Sequence, residues 1–328
     1  KIESIEERDI LLSSQKNNIS PLLAKLLLLR NIDNSVVQEY LYPDFKKNIP
    51  NPFLLKDMYK AVTRVHLALE KNEKIGIIAD YDVDGSTSAT ILYKFLNNFN
   101  NKITINIPNR LSEGYGPNTR IMNELVNENV NLIFCLDCGT SSSHIFQKKE
   151  YKNIDIIIID HHVSESILPK VHSLINPNRF DENNDFKNLA AVGVTFLFLM
   201  GLRKELREKN FFDYKKKEPN LSNFLDLVAL GTVCDVVNLD LYNRSIVTKG
   251  LEIIQQRRNL GITKIIDKSN LNSIPNSGDL GFIIGPQLNA ASRIDDSSLP
   301  YKLLISKNID EVEAISKYVE TQGAEAIL

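Results

Sequence analysis

The sequence predicts an α/β fold: a doubly wound, mostly parallel sheet with a helical N-terminal lead and a helical C-terminal part. Three observations carry this. Short, nearly continuous apolar runs alternate with helix-like stretches between Ile75 and Ile159, the pattern of strands buried on both faces and joined by crossover helices. Acids and histidines stand directly after three of those runs. Residues 1–48 and those after Asn188 lack β-rich runs and read as helices.

In the lead, "SPLLAKLLLLRN" places Ser20 as N-cap and Pro21 at the first helical position. "NSVVQEYLYP" is a second helix stopped by Pro43, and "KDMYKAVTRVHLALEKN" a third, with apolar Met58, Val62, Val65, Leu67 and Leu69. Strands are expected at Ile75–Ala79, Ile103–Ile107, Leu132–Leu136 and Ile154–Ile159. Helices are expected at Ser86–Asn97, Asn118–Asn129 and Ser142–Lys149. Further on, "LAAVGVTFLFLMGLRKEL", "SNFLDLVALGTVCDVV" and "NRSIVTKGLEIIQQRRN" read as helices, as does the charged amphipathic end "NIDEVEAISKYVETQGAEAIL".

Composition narrows the class. The 328 residues are 43% hydrophobic and 24% charged, which suits a soluble protein with a sizeable core. A formal net charge of -2 excludes strong global attraction to nucleic acid or anionic membranes, while leaving room for a local basic groove. No apolar run approaches the length of a membrane span. Three cysteines, Cys135, Cys138 and Cys234, are too few and of odd number for a disulfide framework and fit a reducing cytoplasm. Cys135 and Cys138 have zinc-like spacing without a second pair, so Cys135 reads as a core strand residue.

The chemistry lies at strand ends. Asp80, Asp82 and Asp84 follow the first strand in "IIADYDVDGSTSAT"; Asp137 follows "NLIFCL"; Asp160, His161 and His162 follow "NIDIIII". In an open α/β sheet these loops form the ligand crevice. Asp235, in the apolar setting of "GTVCDVV", needs a partner if buried. Clustered carboxylates repel one another unless a cation compensates them, and oxygen and imidazole donors suit Mn²⁺ or Mg²⁺. Five acids and a histidine exceed the demand of one ion, so two ions are expected, the arrangement that clamps attacking and leaving oxygens in phosphoryl displacement. Taken singly, "DYDVDG" reads as an acidic turn, Ser86 and Thr87 as helix caps, and Asp137 as a turn residue. Their convergence on one edge outweighs those plainer explanations.

At these residues the chain resembles the DHH phosphoesterase family. "DYDVDGSTSA", "DCGT", "DHH" (Asp160-His161-His162) and "GTVCDVVNL" stand in the family's order. "PNRLSEGYG", "GPQLNAASRI" and the N-terminal "PLLAKLLLLRNI", "YLYP" and "NPFLLKDM" look like its exonuclease branch specific for single-stranded DNA. The resemblance covers essentially the whole chain. It implies a helical segment at 1–48, a DHH domain at 49–270, and at 271–328 a phosphate-contacting motif with a linker helix. That helix would lead toward the family's DHHA1 and oligonucleotide-binding domains beyond Leu328.

The resemblance further implies that Asp80, Asp82 and Asp137 hold one metal ion, and Asp84, Asp137, His161 and Asp235 the other, with Asp137 bridging. Relatives often have histidine where this chain has Asp80. His162 would contact the phosphate, Asp160 would orient the histidines, and the nucleophile would be a water acidified by the ions. Arg110 and Arg293 are the implied phosphate contacts, with Gly114, Tyr115 and Asn289 beside them; Gly114 and Gly116 would allow close backbone approach, and Tyr115 would stack on a base or pack locally. Two departures bear on that end: Gln287 stands where relatives commonly have Arg, and Ser292 where they have Gly. The implied activity is metal-dependent 5′-to-3′ hydrolysis of single-stranded DNA to 5′-mononucleotides, in recombination and repair. A single-strand-binding protein or a helicase is the candidate partner. The rival expectations are a DHH enzyme for short oligonucleotides, cyclic dinucleotides or pyrophosphate, and a non-catalytic DHH-fold scaffold.

Overall fold

A computed structural model describes residues 5–100, 102–269, 271, 274–294 and 296–327; side chains at 291, 293, 294 and 322–327 lie outside that description. Five strands form one sheet: β1 Ile75–Ala79, β2 Ile103–Asn106, β3 Leu132–Leu136, β4 Asp155–Ile159 and β5 Ser173–Ile175. Their order is β2-β1-β3-β4-β5, and every neighbouring pair is parallel. β2 is an edge strand and only half-buried, unlike the fully buried β1 and β3. β5 was not among the expected strands, because three residues are too few to show a period.

Both faces of the sheet are covered. Ile77, Phe134 and Ile157 face a large core built with helices Met58–Glu70, Val83–Leu96 and Ala191–Glu208. Ile78, Ile133, Cys135 and Ile158 face a smaller core with Ile121, Met122 and Leu125 of helix Thr119–Asn127. Successive strand side chains point to opposite faces, so an unbroken apolar run is what a doubly covered strand requires. Cys135 is indeed a core residue. The expected helix Ser142–Lys149 is shorter, a single turn Ser143–Phe146 followed by a 3₁₀ turn Lys149–Tyr151. Ser20 caps its helix by accepting the Leu23 N–H.

The C-terminal helices join the same large core. Leu280, Leu288, Leu303, Leu304 and Val312 are buried in it together with residues of the sheet. Among the described residues no helix is long and apolar enough to cross a membrane. Helix Leu225–Cys234 packs so closely on helix Leu241–Ile254 that a Cβ on Gly250 would stand 2.3 Å from both the Ala229 Cβ and the Leu225 carbonyl oxygen. Gly250→Ala is expected to destabilise the protein by about 1–3 kcal/mol. Urea unfolding checks this, and an unchanged midpoint would mean that the two helices separate freely.

Candidate metal centre

Register builds the site. Ala79 is paired with Leu136, Leu136 with Ile159, and Ile159 with Ile175. The next residue of each strand therefore falls in one row across the sheet: Asp80, Asp137, Asp160 and Asn176. The ladder continues through them, with Asp80 N–H donating to Leu136, Asp137 N–H to Ile159 and Asp160 N–H to Ile175. β1 neighbours both β2 and β3, so the chain reverses its direction of winding there. The row lies at the carboxyl ends of the strands, beside that switch point, where open α/β sheets bind ligands.

The loop after β1 turns at once into helix Val83–Leu96. Asp82 caps it by accepting the Gly85 N–H at 2.9 Å. Gly85 is required there, since a Cβ would lie 2.3 Å from the Asp80 carbonyl oxygen. Asp84, in the first turn, is fully buried and accepts two backbone hydrogen bonds, from Ala191 N–H at 2.6 Å and Val192 N–H at 2.8 Å. These are free amides at the start of helix Ala191–Glu208, whose N-cap Ala190 has no capping side chain. Asp137 adopts a left-handed backbone with φ 58° after β3. Asp235 ends helix Leu225–Cys234.

These elements bring the predicted acids and histidine together. Asp80, Asp82 and Asp137 offer oxygens within 4.8 Å of one another; Asp84, His161 and Asp235 offer oxygens and a ring nitrogen equally close, and so do Asp137, His161 and His162. His161 Nε2 is 3.4 Å from Asp137, 3.5 Å from Asp235 and 3.9 Å from Asp84. Despite these distances, His161 Nε2, Asp137 Oδ1, Asp235 Oδ2 and Asp80 Oδ1 are buried without a hydrogen-bond partner. Burial and the neighbouring His162 lower the His161 pKa, which favours the neutral ring, and its Nε2 faces three carboxylates. Such orphaned buried acceptors are costly unless a cation lies among them. The donor set thus fits a divalent ion of oxygen and imidazole preference. The thiols do not join in: burial pushes Cys138 and Cys234 well above the usual range.

Carboxylate titration reflects the same crowding. Burial, then the Asp82 charge, raises Asp80 to about 7; burial and Asp82 raise Asp235 to about 7. Asp84 and Asp137 are raised by burial and by the neighbouring acids. Asp160 goes the other way, to about 2, because hydrogen bonds from His162 and Thr140 outweigh its burial. It accepts from Thr140 N–H, His161 N–H and His162 N–H, and lies 2.7 Å from His162 Nδ1, which raises the His162 pKa.

The substrate-side residues sit around this cluster. The Arg110 guanidinium lies 5.0 Å from the centroid of the Tyr81 ring and favours the charged form of Asp80. The Tyr115 hydroxyl donates to the Asp137 carbonyl at 2.7 Å and is 3.2 Å from His162 Nδ1, while the residue stays half exposed. Tyr115 therefore props the Asp137 turn as well as facing outward. Gly114 has φ 78°, and a Cβ there would touch nothing within 4 Å, so within the chain its glycine serves backbone conformation and not close approach. Asn289 accepts the Val83 N–H at 3.2 Å, joining helix Gly285–Ile294 to the loop after β1. Arg293 is in that helix, and its side chain lies outside the described residues.

Gln287 turns to Ser269, and the Ser292 hydroxyl donates to the Asn289 carbonyl within the helix. Sequence reading missed Asn176, whose amide binds the Thr140 hydroxyl and the His162 carbonyl, and Asn178, which binds the His161 carbonyl. The signal was the "NPN" after "SLI", legible only once β5 is known to be a strand.

Fold and site together define a DHH-type domain: residues 74–232 match the family described as "DHH family, N-terminal domain". The chain is similar to the single-stranded-DNA-specific exonuclease RecJ. It is 33% identical to RecJ of Haemophilus influenzae over 95% of this chain and 54% of that protein. With RecJ of Bacillus subtilis it shares 31% identity over 95% of this chain and 38% of that protein. A crystal structure of exonuclease RecJ bound to manganese superposes with a TM-score of 0.73 at 26% identity, over 83% of this chain and 66% of that one. The crystal structure of RecJ from Thermus thermophilus in complex with Mn²⁺ shares the fold, with a TM-score of 0.79 at 23% identity over 98% of this chain and 44% of that one. The chain spans about half the length of curated relatives such as the first of these.

The pKa shifts predict a pH dependence. Folded Asp80 and Asp235 keep, between about pH 4 and 7, protons that the unfolded chain has lost, so the metal-free protein loses stability as pH rises through that window. In chelator, the thermal midpoint should fall from pH 5 to pH 8, and Mn²⁺ should raise it more at pH 8 than at pH 5. A midpoint that climbs with pH in chelator would show that the acids do not repel.

Proposed function

We propose that the protein is a metal-dependent 5′-to-3′ exonuclease that hydrolyses single-stranded DNA to 5′-mononucleotides, in recombination and repair. The observation that carries this is the buried His161 turning Nε2 toward Asp84, Asp137 and Asp235 with no hydrogen bond to any of them. Similarity to RecJ over nearly the whole chain supports the substrate class.

Asp80, Asp82 and Asp137 would hold one divalent ion, and Asp84, Asp137, His161 and Asp235 would hold the other. Mn²⁺ or Mg²⁺, when bound, supplies positive charge for the phosphoryl oxygens and lowers the pKa of the attacking water. His161 presents Nε2 to the ions, and a hydrogen bond with the Leu189 backbone fixes its ring. Asp160 holds His162 through Nδ1 and raises its pKa, and His162, half exposed on the substrate side, donates to a phosphoryl oxygen. Arg110 receives a neighbouring phosphate, and the exposed side of Tyr115 meets a base. A cytoplasmic location, and a single-strand-binding protein or helicase as partner, follow from this substrate.

Asp82→Ala and His161→Ala should each lower turnover by about a thousandfold or more while leaving the fold intact, because each removes an ion ligand from a site strained by repulsion. The assay offers 5′-labelled single-stranded DNA, its duplex, a dinucleotide and pyrophosphate with Mn²⁺. Stepwise release of labelled mononucleotide from the single strand alone is expected. Turnover confined to the dinucleotide or pyrophosphate would overturn the substrate, and retained activity in either variant would overturn the ligand set.

A further inference from the structure

Arg110 is held at two points by residues outside the metal ligands. Its guanidinium lies over the ring of Tyr81, 5.0 Å from the centroid. Its backbone N–H donates to the Ser297 hydroxyl at 3.1 Å. Ser297 is buried, and its hydroxyl in turn donates to the Ser292 carbonyl at 3.2 Å, at the end of the helix that carries Asn289. Tyr81 stands between Asp80 and Asp82, so the aromatic platform is part of the metal loop itself. Arg110 is in none of the ion pairs found among the described residues, although it acts on the charge of Asp80. A guanidinium fixed by a ring face and a backbone anchor keeps its forked donors for a ligand.

We propose that Tyr81 and Ser297 are positioning residues that hold Arg110 ready for a substrate phosphate next to the metal centre. The inference rests on the exonuclease reading above and deepens it. Without Tyr81 the guanidinium would be free to swing away or fold back onto the acids. Without the Ser297 hydroxyl the loop carrying Arg110 would lose its tie to the helix of Asn289. The two contacts set the distance between the phosphate contact and the ions, which must be constant if each step removes one nucleotide.

The test separates a held charge from bulk packing. Kinetics on 5′-phosphorylated single-stranded DNA with Mn²⁺ should show KM raised about threefold to tenfold in Tyr81→Leu and Ser297→Ala, with kcat little changed. Tyr81→Phe and Ser297→Thr keep the ring face and the hydroxyl and should restore KM. Tyr81→Leu added to Arg110→Ala should raise KM no further than Arg110→Ala alone. An additive double variant, or no rescue by Tyr81→Phe, would overturn the proposal. The ¹⁵N–¹H signal of the Arg110 side chain reads the positioning without DNA: ordered in the parent and in Tyr81→Phe, averaged in Tyr81→Leu. Equal order in all three would overturn the proposal whatever the enzyme does with DNA. Lost order with an unchanged KM would overturn it too, since the held charge would then receive no phosphate. A parent that leaves single-stranded DNA intact would count against the exonuclease reading, and the side-chain signal would still decide the positioning.

Discussion

Mutual repulsion among buried carboxylates is the constraint on which the site and much of its surroundings depend. Asp80, Asp84 and Asp137 are almost wholly buried, with Asp82 and Asp235 beside them. Burial raises the cost of each charge, and each charge raises the cost of the next. The protein offsets part of that cost with backbone dipoles. Asp82 takes the Gly85 N–H and Asp84 takes those of Ala191 and Val192. Asp80 Oδ1, Asp137 Oδ1 and Asp235 Oδ2, with His161 Nε2, are left without protein partners. An arrangement that strains the free protein becomes favourable when ions enter, which couples ion binding to stability.

The same contacts tie distant parts of the chain together. Asp84 joins the first strand loop to helix Ala191–Glu208, a separation of more than a hundred residues. Gly231 lies where that loop and helix meet: a Cβ there would fall 2.4 Å from Thr87 Oγ1, 2.8 Å from Val192 and 3.2 Å from Asp84. Asn289 and Ser297 bring the C-terminal helices onto the metal loop and the Arg110 loop. The site is therefore an assembly of segments from along the chain, and the core shared by residues before and after 270 keeps them in register.

Asp160 shows how one buried acid can serve a different purpose. It lies in the same row as Asp80 and Asp137, yet its pKa falls while theirs rise. The cause is its donors: three backbone N–H groups and the His162 ring converge on it. It stays ionised without a metal and uses its charge to orient one histidine and raise that ring's pKa.

The sequence by itself determined the strands, their burial on both faces and the placement of acids at strand ends, because period and composition are local properties of the chain. β1, β3 and β4 and the residues after them are legible in that way, but the start of the next helix was not: it was expected at Ser86 with Ser86 and Thr87 as caps, whereas Asp82 caps a helix that begins at Val83. Only the tertiary structure decided which acids share a donor, since hydrogen-bond partners are set by distance in space and not by spacing in sequence. That Asp84 takes the amides of Ala191 and Val192, that Tyr115 props the Asp137 turn, and that Gln287 and Ser292 turn to protein partners all arise from packing between segments far apart in the chain. Strand β5 and the Asn176 it delivers were invisible for the complementary reason: three residues carry no period, and only pairing with β4 makes them a strand.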